Sequence, residues 1–204
     1  MIRNLQGSVF TTLAPAIFVG DLLDQDACKS ILVEFPPDAG WCQAEITTYI
    51  DEHKERGTLK SILDLDRRRA NRIHFSDVDM TVRPNTSACL NLIYSEVSDL
   101  LRIEFGMFVE EFGEAEIVHY PENGVFIPHS DANKVKPYRA ASVVLYLNDD
   151  FEGGETHFPD LDCSCKPKTG NVLVFPSHLL HGGQPVVKGE KYIIVLWAFY
   201  PGGA

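Results

Sequence analysis

The sequence lacks the long apolar run of a membrane-spanning protein and the paired cysteines of a disulfide-rich secreted protein. No apolar run approaches the roughly 20 residues that cross a bilayer, and the N-terminus lacks a basic start followed by a continuous apolar segment and a cleavage site. We therefore expect no membrane partner and a cytoplasmic location. The five cysteines are odd in number and form no C-x-x-C pair, so reduced thiols are expected rather than a disulfide framework.

Positive charge is also scarce. Lys and Arg number 18 against 29 Asp and Glu, which gives a formal net charge of −11. Such a protein repels a phosphate backbone, and the one basic run, Arg67-Arg68-Arg69 with Arg72, is too short to reverse this. Nucleic acid is therefore not an expected partner. An anionic co-substrate would need a specific buried cation at its site.

The first part of the chain predicts helices with recognisable ends. Asp24 suits the N-cap of a helix that runs to about residue 35. A longer helix is predicted at 86–105, where apolar side chains recur mostly at the i, i+4, i+7 spacing of one buried face. The polar residues 85–87 are expected to cap its start, and Gly106 stands where a left-handed C-cap belongs.

From residue 107 onward the apolar period changes from about 3.6 residues to 2, which predicts strands. They are expected at about 116–120, 125–131, 141–148, 155–158, 171–176, 180–186 and 191–199. Short strands separated by Asn, Asp, Gly and Pro favour a sandwich or jelly roll. We therefore predict one α+β, mainly β domain over 1–204, with a helical and mixed support region at 1–115 and a core at 116–200.

Two segments are predicted to lack strands. Residues 51–72 are dense in charge and have few apolar side chains to bury, so we expect a loop with a short helix. Cys163 and Cys165 are interpreted as ordinary thiols in a loop, because a structural zinc would lack a second cysteine pair.

A histidine and a carboxylate, His129 and Asp131, stand two residues apart in a strand-like segment, where alternate side chains share a face. A second histidine, His181, follows fifty positions after Asp131. Two imidazoles and one carboxylate make the facial triad of non-haem Fe(II) oxygenases. We therefore predict a metal site at these three residues. His178 is the rival ligand, but Pro176 and the glycines after His181 disfavour the helix that would pair the two histidines.

Lys191 lies ten residues after His181 in another strand-like run. A cation there can pair with the distal carboxylate of a dicarboxylate that chelates the metal. The sequence thus supplies both a metal site and the cation that an anionic co-substrate requires.

Ordered motifs extend from about residue 116 to residue 199. They are His119-Tyr120-Pro121, His129-x-Asp131, Leu145-Tyr146-Leu147-Asn148, Gly153-Gly154-Glu155-Thr156, Pro167-Lys168-x-Gly170, His181 and Lys191. Over this segment the chain resembles the Fe(II)- and 2-oxoglutarate-dependent dioxygenases, in particular the prolyl 4-hydroxylase-like branch. The resemblance implies a double-stranded β-helix, jelly-roll or cupin-like, with N-terminal helices packed on one sheet.

The resemblance also implies the chemistry. His129, Asp131 and His181 would hold Fe(II), and 2-oxoglutarate would serve as co-substrate with O2. A C–H bond of a prolyl or other amino-acid unit would be hydroxylated, with release of succinate and CO2, and ascorbate is expected to stimulate turnover. Related halogenases have a small residue at the carboxylate position, so Asp131 favours hydroxylation.

Further residues take roles only through the resemblance. Lys191 would pair with the far carboxylate of 2-oxoglutarate, and Tyr120 and Tyr146 match tyrosines that line the co-substrate pocket. Arg139 aligns with a basic residue that touches substrate in some relatives. Trp197 aligns with an aromatic residue of the last strand.

Two alternatives stay open. The same enzyme class could act on a free amino acid or a natural-product scaffold. In a different class, the chain would be a non-catalytic cupin-like metal-binding protein in which the triad holds Zn or Ni and Lys191 is a surface charge. The expected partner is a small-molecule or peptide substrate, and the oligomeric state is left open.

Overall fold

The computed structural model describes residues 2–3, 9–50, 58–134 and 136–202. Its α-helices are α1 (Gln25–Val33) and α2 (Pro84–Phe105), and short 3-10 helices span Phe75–Asp77, Met80–Val82 and Pro159–Leu161. The strands, in chain order, are β1 (Ile2–Arg3), β2 (Val9–Ala14), β3 (Ile17–Asp21), β4 (Cys42–Gln43), β5 (Ile46–Ile50), β6 (Thr58–Ile62), β7 (Arg68–Arg69), β8 (Asn71–His74), β9 (Phe112–Tyr120), β10 (Val125–His129), β11 (Arg139–Tyr146), β12 (Glu152–Gly153), β13 (Thr156–Phe158), β14 (Cys163–Cys165), β15 (Asn171–Pro176), β16 (His181–Gly183), β17 (Val186–Lys188) and β18 (Lys191–Phe199).

These strands form two principal antiparallel sheets. Within the described residues, the larger sheet has nine strands in the order β1-β2-β3-β15-β11-β18-β9-β8-β4, and the smaller has five in the order β14-β13-β16-β10-β7. The pairs β12–β17 and β5–β6 form separate two-stranded ribbons. Strands from both halves of the chain meet in the larger sheet, so the predicted support region and the predicted core are joined through backbone hydrogen bonds.

Alternation along the central strands gives the larger sheet two apolar faces. In β18, Ile194 and Leu196 pack in the cluster that contains Ile93 of α2, whereas Ile193 and Val195 pack in the cluster that contains the smaller-sheet strands β13 and β14. Each fully buried aliphatic side chain contributes roughly 1.5–3 kcal/mol to stability. The helices therefore cover one face of the larger sheet, and the other face lies opposite the smaller sheet.

Helix α1 begins and α2 ends as the sequence predicts. The side chain of Asp24 accepts a hydrogen bond of 2.8 Å from the backbone N–H of Ala27, which satisfies one of the free donors at the start of α1. Helix α2 ends at Gly106, whose φ of +60° is the left-handed conformation that glycine adopts at little cost.

The start of α2 is capped differently from the prediction. No side chain of its own caps the helix, and the carboxylate of Glu34, just after α1, takes that role. Its oxygens accept hydrogen bonds from the backbone N–H groups of Asn85 at 2.8 Å and Thr86 at 3.0 Å. The expectation that residues 85–87 supply the cap was wrong. The carboxylate of Glu34, which is far away in sequence, already lies at the positive end of the helix.

The described part of the segment 51–72 contains strands, where the sequence predicts a loop with a short helix. Residues 51–57 lie outside the described part, and the remainder contains β6, β7 and the start of β8. The prediction failed because the side chains of Arg68 and Arg72 turn towards a polar cavity rather than an apolar core. The charges of Arg68 in β7 and Arg72 in β8 hide the alternation of apolar side chains that would have indicated these two strands.

The cysteines behave as free thiols, as expected. Cys28, Cys42, Cys89, Cys163 and Cys165 are all unpaired. Cys163 and Cys165 lie in β14, however, and not in a loop, because the backbone there pairs with β13 at the edge of the smaller sheet. Among the described residues, no helix has both the length and the apolar character needed to cross a bilayer.

Candidate functional site

Two strands of the smaller sheet carry the predicted histidines to the same place. His129 is the last residue of β10 and His181 is the first of β16, and the two are opposite each other in this antiparallel pair. Asp131 follows two residues after His129, where the chain has just left the strand. Backbone pairing thus closes a segment of 51 residues between His129 and His181 and sets the two imidazoles side by side.

The three predicted side chains form one compact cluster. The Nε2 atom of His129 lies 3.4 Å from Oδ1 of Asp131, and the Nε2 atom of His181 lies 3.4 Å from Oδ2. One ligand atom from each residue lies within 4.8 Å of the others. His178, the rival considered from the sequence, is exposed and outside this cluster.

Backbone carbonyls orient both imidazoles. Nδ1 of His129 donates to the carbonyl of Ile127 at 2.9 Å, and Nδ1 of His181 donates to the carbonyl of Leu179 at 2.9 Å. With the proton held on Nδ1, the lone pair of each Nε2 points into the cluster. A second hydrogen bond of this kind fixes the ring and tautomer of metal-binding histidines in general. The cluster therefore fits a divalent metal ion that accepts nitrogen and carboxylate ligands.

The carboxylate of Asp131 is held by a buried serine. Ser142 Oγ, on β11, donates to Oδ2 of Asp131 at 2.7 Å and also contacts Oγ of Ser177 at 2.9 Å. Burial alone would raise the pKa of Asp131, but the adjacent His181 and His129 lower it, so the net pKa lies well below its usual range. Asp131 is therefore an anion at neutral pH.

The two histidines respond differently to this anion. Burial lowers the pKa of His129 more than Asp131 raises it, whereas for His181 burial is outweighed by Asp131 and the pKa is raised. A metal ion must displace any proton from Nε2 before that nitrogen can bind. Metal binding at this cluster is therefore expected to weaken at acidic pH.

The cluster opens into a cavity of about 600 Å³ between the two sheets. Strand alternation explains which side chains line it. Even-numbered residues of β9, such as Glu116 and Tyr120, and odd-numbered residues of β18, such as Lys191 and Trp197, share the inner face of the larger sheet. The volume suits a small co-substrate together with part of a second molecule.

Lys191 is buried in this cavity, with 3% of its surface exposed. Its Nζ donates to the carbonyl of Gly154 at 2.7 Å. A Cβ on Gly154, whose φ is +70°, would lie 2.9 Å from the Phe151 ring and 3.3 Å from Cδ of Lys191, which explains the glycine of this motif. Burial lowers the pKa of Lys191 to about 8, and the nearby Cys165 and Glu155 offset this only in part.

The two predicted tyrosines flank Lys191. Its ammonium lies 5.3 Å from the ring centroid of Tyr120 and 5.5 Å from that of Tyr146. Tyr120 lines the cavity, whereas Tyr146 is fully buried behind it and its hydroxyl is 2.8 Å from Oγ1 of Thr156. Burial raises the pKa of both phenols, so both stay protonated. Thr156, rather than Tyr146, meets the cavity itself.

Arg139 and Trp197 meet at another wall of the cavity. The guanidinium of Arg139 lies 3.4 Å from the Trp197 ring centroid, and its Nε donates to Oε2 of Glu114 at 2.7 Å. Its Nη1 is 3.8 Å from Oδ1 of Asp131. Both residues that the resemblance assigns to substrate thus lie beside the cluster.

Comparison with protein families matches the segment that contains the three clustered side chains, Lys191 and both tyrosines. Residues 115–199 match the family model described as the 2OG-Fe(II) oxygenase superfamily. Over this segment the chain is similar to the 2OG-Fe(II) oxygenases. Members of that superfamily use Fe(II), 2-oxoglutarate and O2, so the expected cofactors agree with the donor set of the cluster.

Curated relatives that match part of this chain include prolyl hydroxylases. Prolyl 4-hydroxylase 1 of Arabidopsis thaliana is 32% identical over 122 residues, a match that covers 46% of this chain and 43% of the relative. Prolyl 3-hydroxylase 2 of Homo sapiens is 42% identical over 67 residues, which cover 29% of this chain and 10% of the relative. The chain thus spans less than half the length of these relatives.

Solved structures confirm the predicted double-stranded β-helix. A prolyl hydroxylase of Trichoplax adhaerens, in complex with a hypoxia inducible factor peptide fragment, superposes with a TM-score of 0.70 at 15% identity, over 92% of this chain and 85% of that one. The 2OG complex of a collagen prolyl hydroxylase from Paramecium Bursaria Chlorella virus-1 gives 0.58 at 19% identity, over 91% and 96%. At these identities the likeness is one of fold.

Several residues in and around the cavity escaped the sequence analysis. Ser142 and Thr156 are among them, although Thr156 closes the Gly153-Gly154-Glu155-Thr156 motif. Arg68 and Glu116 were missed as well, and they form a buried ion pair at 2.9 Å. Glu114 and Glu116 alternate on β9 just before Tyr120, a spacing that could have indicated an acidic inner face.

Proposed function

We propose that this chain is an Fe(II)- and 2-oxoglutarate-dependent dioxygenase. It hydroxylates a C–H bond of a prolyl or other amino-acid unit and releases succinate and CO2. The observation that carries the proposal is the cluster of His129, Asp131 and His181, in which both Nδ1 atoms are already engaged and both Nε2 atoms face the carboxylate. The family and the prolyl hydroxylase relatives support the same reaction class.

Each site residue has a distinct task in this proposal. His129, Asp131 and His181 hold the iron, which together with 2-oxoglutarate and O2 supplies the oxidising chemistry when bound. Ser142 orients the carboxylate of Asp131. Lys191 provides a buried positive charge for the distal carboxylate of 2-oxoglutarate, and Tyr120 offers a protonated hydroxyl beside it. A buried charged hydrogen bond of this kind contributes about 1.5–3 kcal/mol.

The alternative of a non-catalytic cupin-like metal-binding protein is not favoured. It treats Lys191 as a surface charge, but Lys191 is buried beside Tyr120 and Tyr146. Keeping an ammonium away from water costs free energy unless a bound anion later offsets that cost. A protein that only binds a metal has no need for a buried ammonium, whereas an enzyme that binds a co-substrate with a free carboxylate does.

Turnover of 2-oxoglutarate tests the proposal. Purified protein should form succinate only when Fe(II) and O2 are both present, and Zn(II) or Ni(II) should not replace iron. The Asp131→Ala variant is the matched control, because it removes one ligand and no core side chain. Equal succinate formation without iron, or none under any condition, would contradict the proposal.

A further inference from the structure

The cavity carries a surplus of positive charge beyond the residues already discussed. Apart from Asp131 and Lys191, its described lining includes five cations against three carboxylates. The cations are Arg67, Arg68, Arg72, Lys136 and Arg139, and the carboxylates are Glu45, Glu114 and Glu116. The whole chain has a formal net charge of −11. A cationic cavity in so negative a chain is a local arrangement that favours an anion.

Arg68 is one of the buried cations of this lining, with 8% of its surface exposed. Its Nη2 donates to Oε1 of Glu116 at 2.9 Å, and its Nη1 donates to the carbonyl of Glu45 at 3.2 Å. Its Nε is buried and has no hydrogen-bond partner among the described residues. The Arg68 side chain lines the cavity, so its guanidinium can also meet a ligand there.

Arg72 shares the same carboxylate. Its Nη1 donates to Oε2 of Glu116 at 3.0 Å, and its buried Nε also lacks a partner within the described part of the chain. Glu116 is almost fully buried and can neutralise only one of the two guanidinium groups. The Arg68–Glu116–Arg72 cluster therefore keeps one positive charge that no described side chain in direct contact offsets, and a buried charge of this kind is costly without a counter-ion.

The Arg68–Glu116–Arg72 cluster lies close to the candidate metal centre. The guanidinium of Arg68 is 4.7 Å from the ring centroid of Phe126. The same Phe126 ring stacks on the imidazole of His129, with 3.6 Å between centroids. One aromatic ring therefore contacts both the cation and the first candidate iron ligand. A small molecule held by Arg68 would have its other end within reach of the iron.

A different wall of the cavity adds to the positive field. Lys136 and Arg139 both contact the carboxylate of Glu114, with 2.6 Å from Nζ of Lys136 to Oε1. Again two cations share one carboxylate. This wall contains a residue that the resemblance already assigns to substrate, whereas the Arg68–Glu116–Arg72 cluster carries no such assignment.

We propose that Arg68 and Arg72 form a subsite for a carboxylate of the substrate, with Glu116 holding both guanidinium groups in place. The inference rests on the proposed function and names its substrate class, an amino-acid unit that carries a free carboxylate. Guanidinium groups bind carboxylates through two parallel hydrogen bonds, which fix orientation as well as position. The carboxylate comes either from the α-carboxyl group of a free amino acid or from an acidic side chain of a peptide.

Matched pairs of compounds test the subsite. One arm compares each protein amino acid with its primary amide. The other compares blocked peptides that place Glu or Gln next to proline. Each compound is tested for stimulation of succinate formation, and its binding to the enzyme with Fe(II) and 2-oxoglutarate is measured by calorimetry without O2, where no turnover occurs.

The carboxylate member of at least one pair should bind about tenfold to hundredfold more tightly than its neutral partner. Arg68→Gln should remove most of that difference, and Arg68→Lys should restore only part of it, because the ammonium lacks the fork. If Arg68→Gln fails to bind iron, the same comparison is made with Arg72→Gln, because Arg72 is more exposed than Arg68. Arg102→Gln, on the far side of α2 and exposed, is the control and should preserve the difference.

Two failures are distinguishable. If the wild-type protein forms no succinate from 2-oxoglutarate, the proposed function fails. If it forms succinate but neutral compounds bind as well as their carboxylate partners, or if no carboxylate compound binds, the subsite is overturned. Retention of the full difference in both the Arg68 and the Arg72 variants overturns it as well.

Discussion

The hydroxyl of Ser142 lies 2.7 Å from Oδ2 of Asp131 and donates to it from the middle of β11. This hydrogen bond is fully buried and ties the candidate carboxylate ligand to the central sheet. Outer contacts of this kind typically change metal affinity by roughly tenfold to hundredfold when removed. We therefore expect Ser142→Ala to weaken Fe(II) binding by that factor in an anaerobic titration, with the circular dichroism spectrum unchanged. Ser164→Ala, at an exposed position, is the control. Equal Fe(II) affinities in both variants would contradict a role of Ser142 in metal binding.

Direct removal of a ligand should have a larger effect. His129→Ala, Asp131→Ala and His181→Ala are each expected to abolish Fe(II) binding and turnover while the protein remains folded, since the three side chains contribute little apolar burial. His178→Ala should bind iron as the wild type does, because His178 is exposed and outside the cluster. Loss of iron in His178→Ala with retention in His181→Ala would mean that the ligand assignment is wrong.

The pKa of Lys191 predicts how co-substrate binding depends on pH. Burial lowers this pKa to about 8, so the ammonium is present below pH 8 and lost above it. A bound carboxylate favours the charged form; the affinity for 2-oxoglutarate should therefore be constant below about pH 8 and fall as the pH rises further. We expect the KM for 2-oxoglutarate to rise about tenfold per pH unit there.

Two variants check that Lys191 causes this dependence. Lys191→Arg keeps its charge throughout the range, so its KM should not rise between pH 8 and pH 9.5, although the longer fork restores affinity only in part. Lys191→Ala should raise the KM by roughly tenfold to hundredfold at pH 7 and retain iron. A wild-type KM that stays flat above pH 8 would show that another group carries the co-substrate carboxylate.

The cap that Glu34 provides for α2 predicts a stability effect far from the site. Glu34→Ala leaves the backbone N–H groups of Asn85 and Thr86 without their acceptor. The free energy of unfolding should fall by about 1 kcal/mol, the usual effect of losing an N-cap. Glu104→Ala, exposed near the other end of the same helix, is the control in denaturant titrations. Equal stability of the two variants would contradict the capping role.

Local patterns were sufficient to predict most of the architecture. The nearly continuous apolar runs of β11, β15 and β18 reflect burial on both sides of one sheet, and the 3.6-residue period of α2 reflects burial on one side of a helix. The helix cap from Glu34 was not predictable in this way. It joins residues 51 positions apart, and only the packing of α1 beside α2 brings them together.

The residues of the site fall into the same two groups, those that local patterns predict and those that only the folded chain brings together. The proximity of His129, Asp131 and His181 was predictable because His129 and Asp131 are two residues apart and the order of the remaining motifs is distinctive. The Arg68–Glu116–Arg72 cluster was not, because its arginines lie in short strands where charge masks the periodicity. Tyr146 illustrates a third case, in which the residue is placed close to Lys191 but its hydroxyl meets Thr156 rather than the open cavity.

The most direct test of the account is the product balance of a single reaction. Protein, Fe(II), 2-oxoglutarate, ascorbate and the best carboxylate substrate are incubated with labelled dioxygen, and succinate and product are quantified by mass spectrometry. The account predicts equal amounts of succinate and product, with one labelled oxygen atom in each product molecule and none in Asp131→Ala reactions. Product that gains a halogen instead of oxygen, or product that forms without succinate, would contradict it.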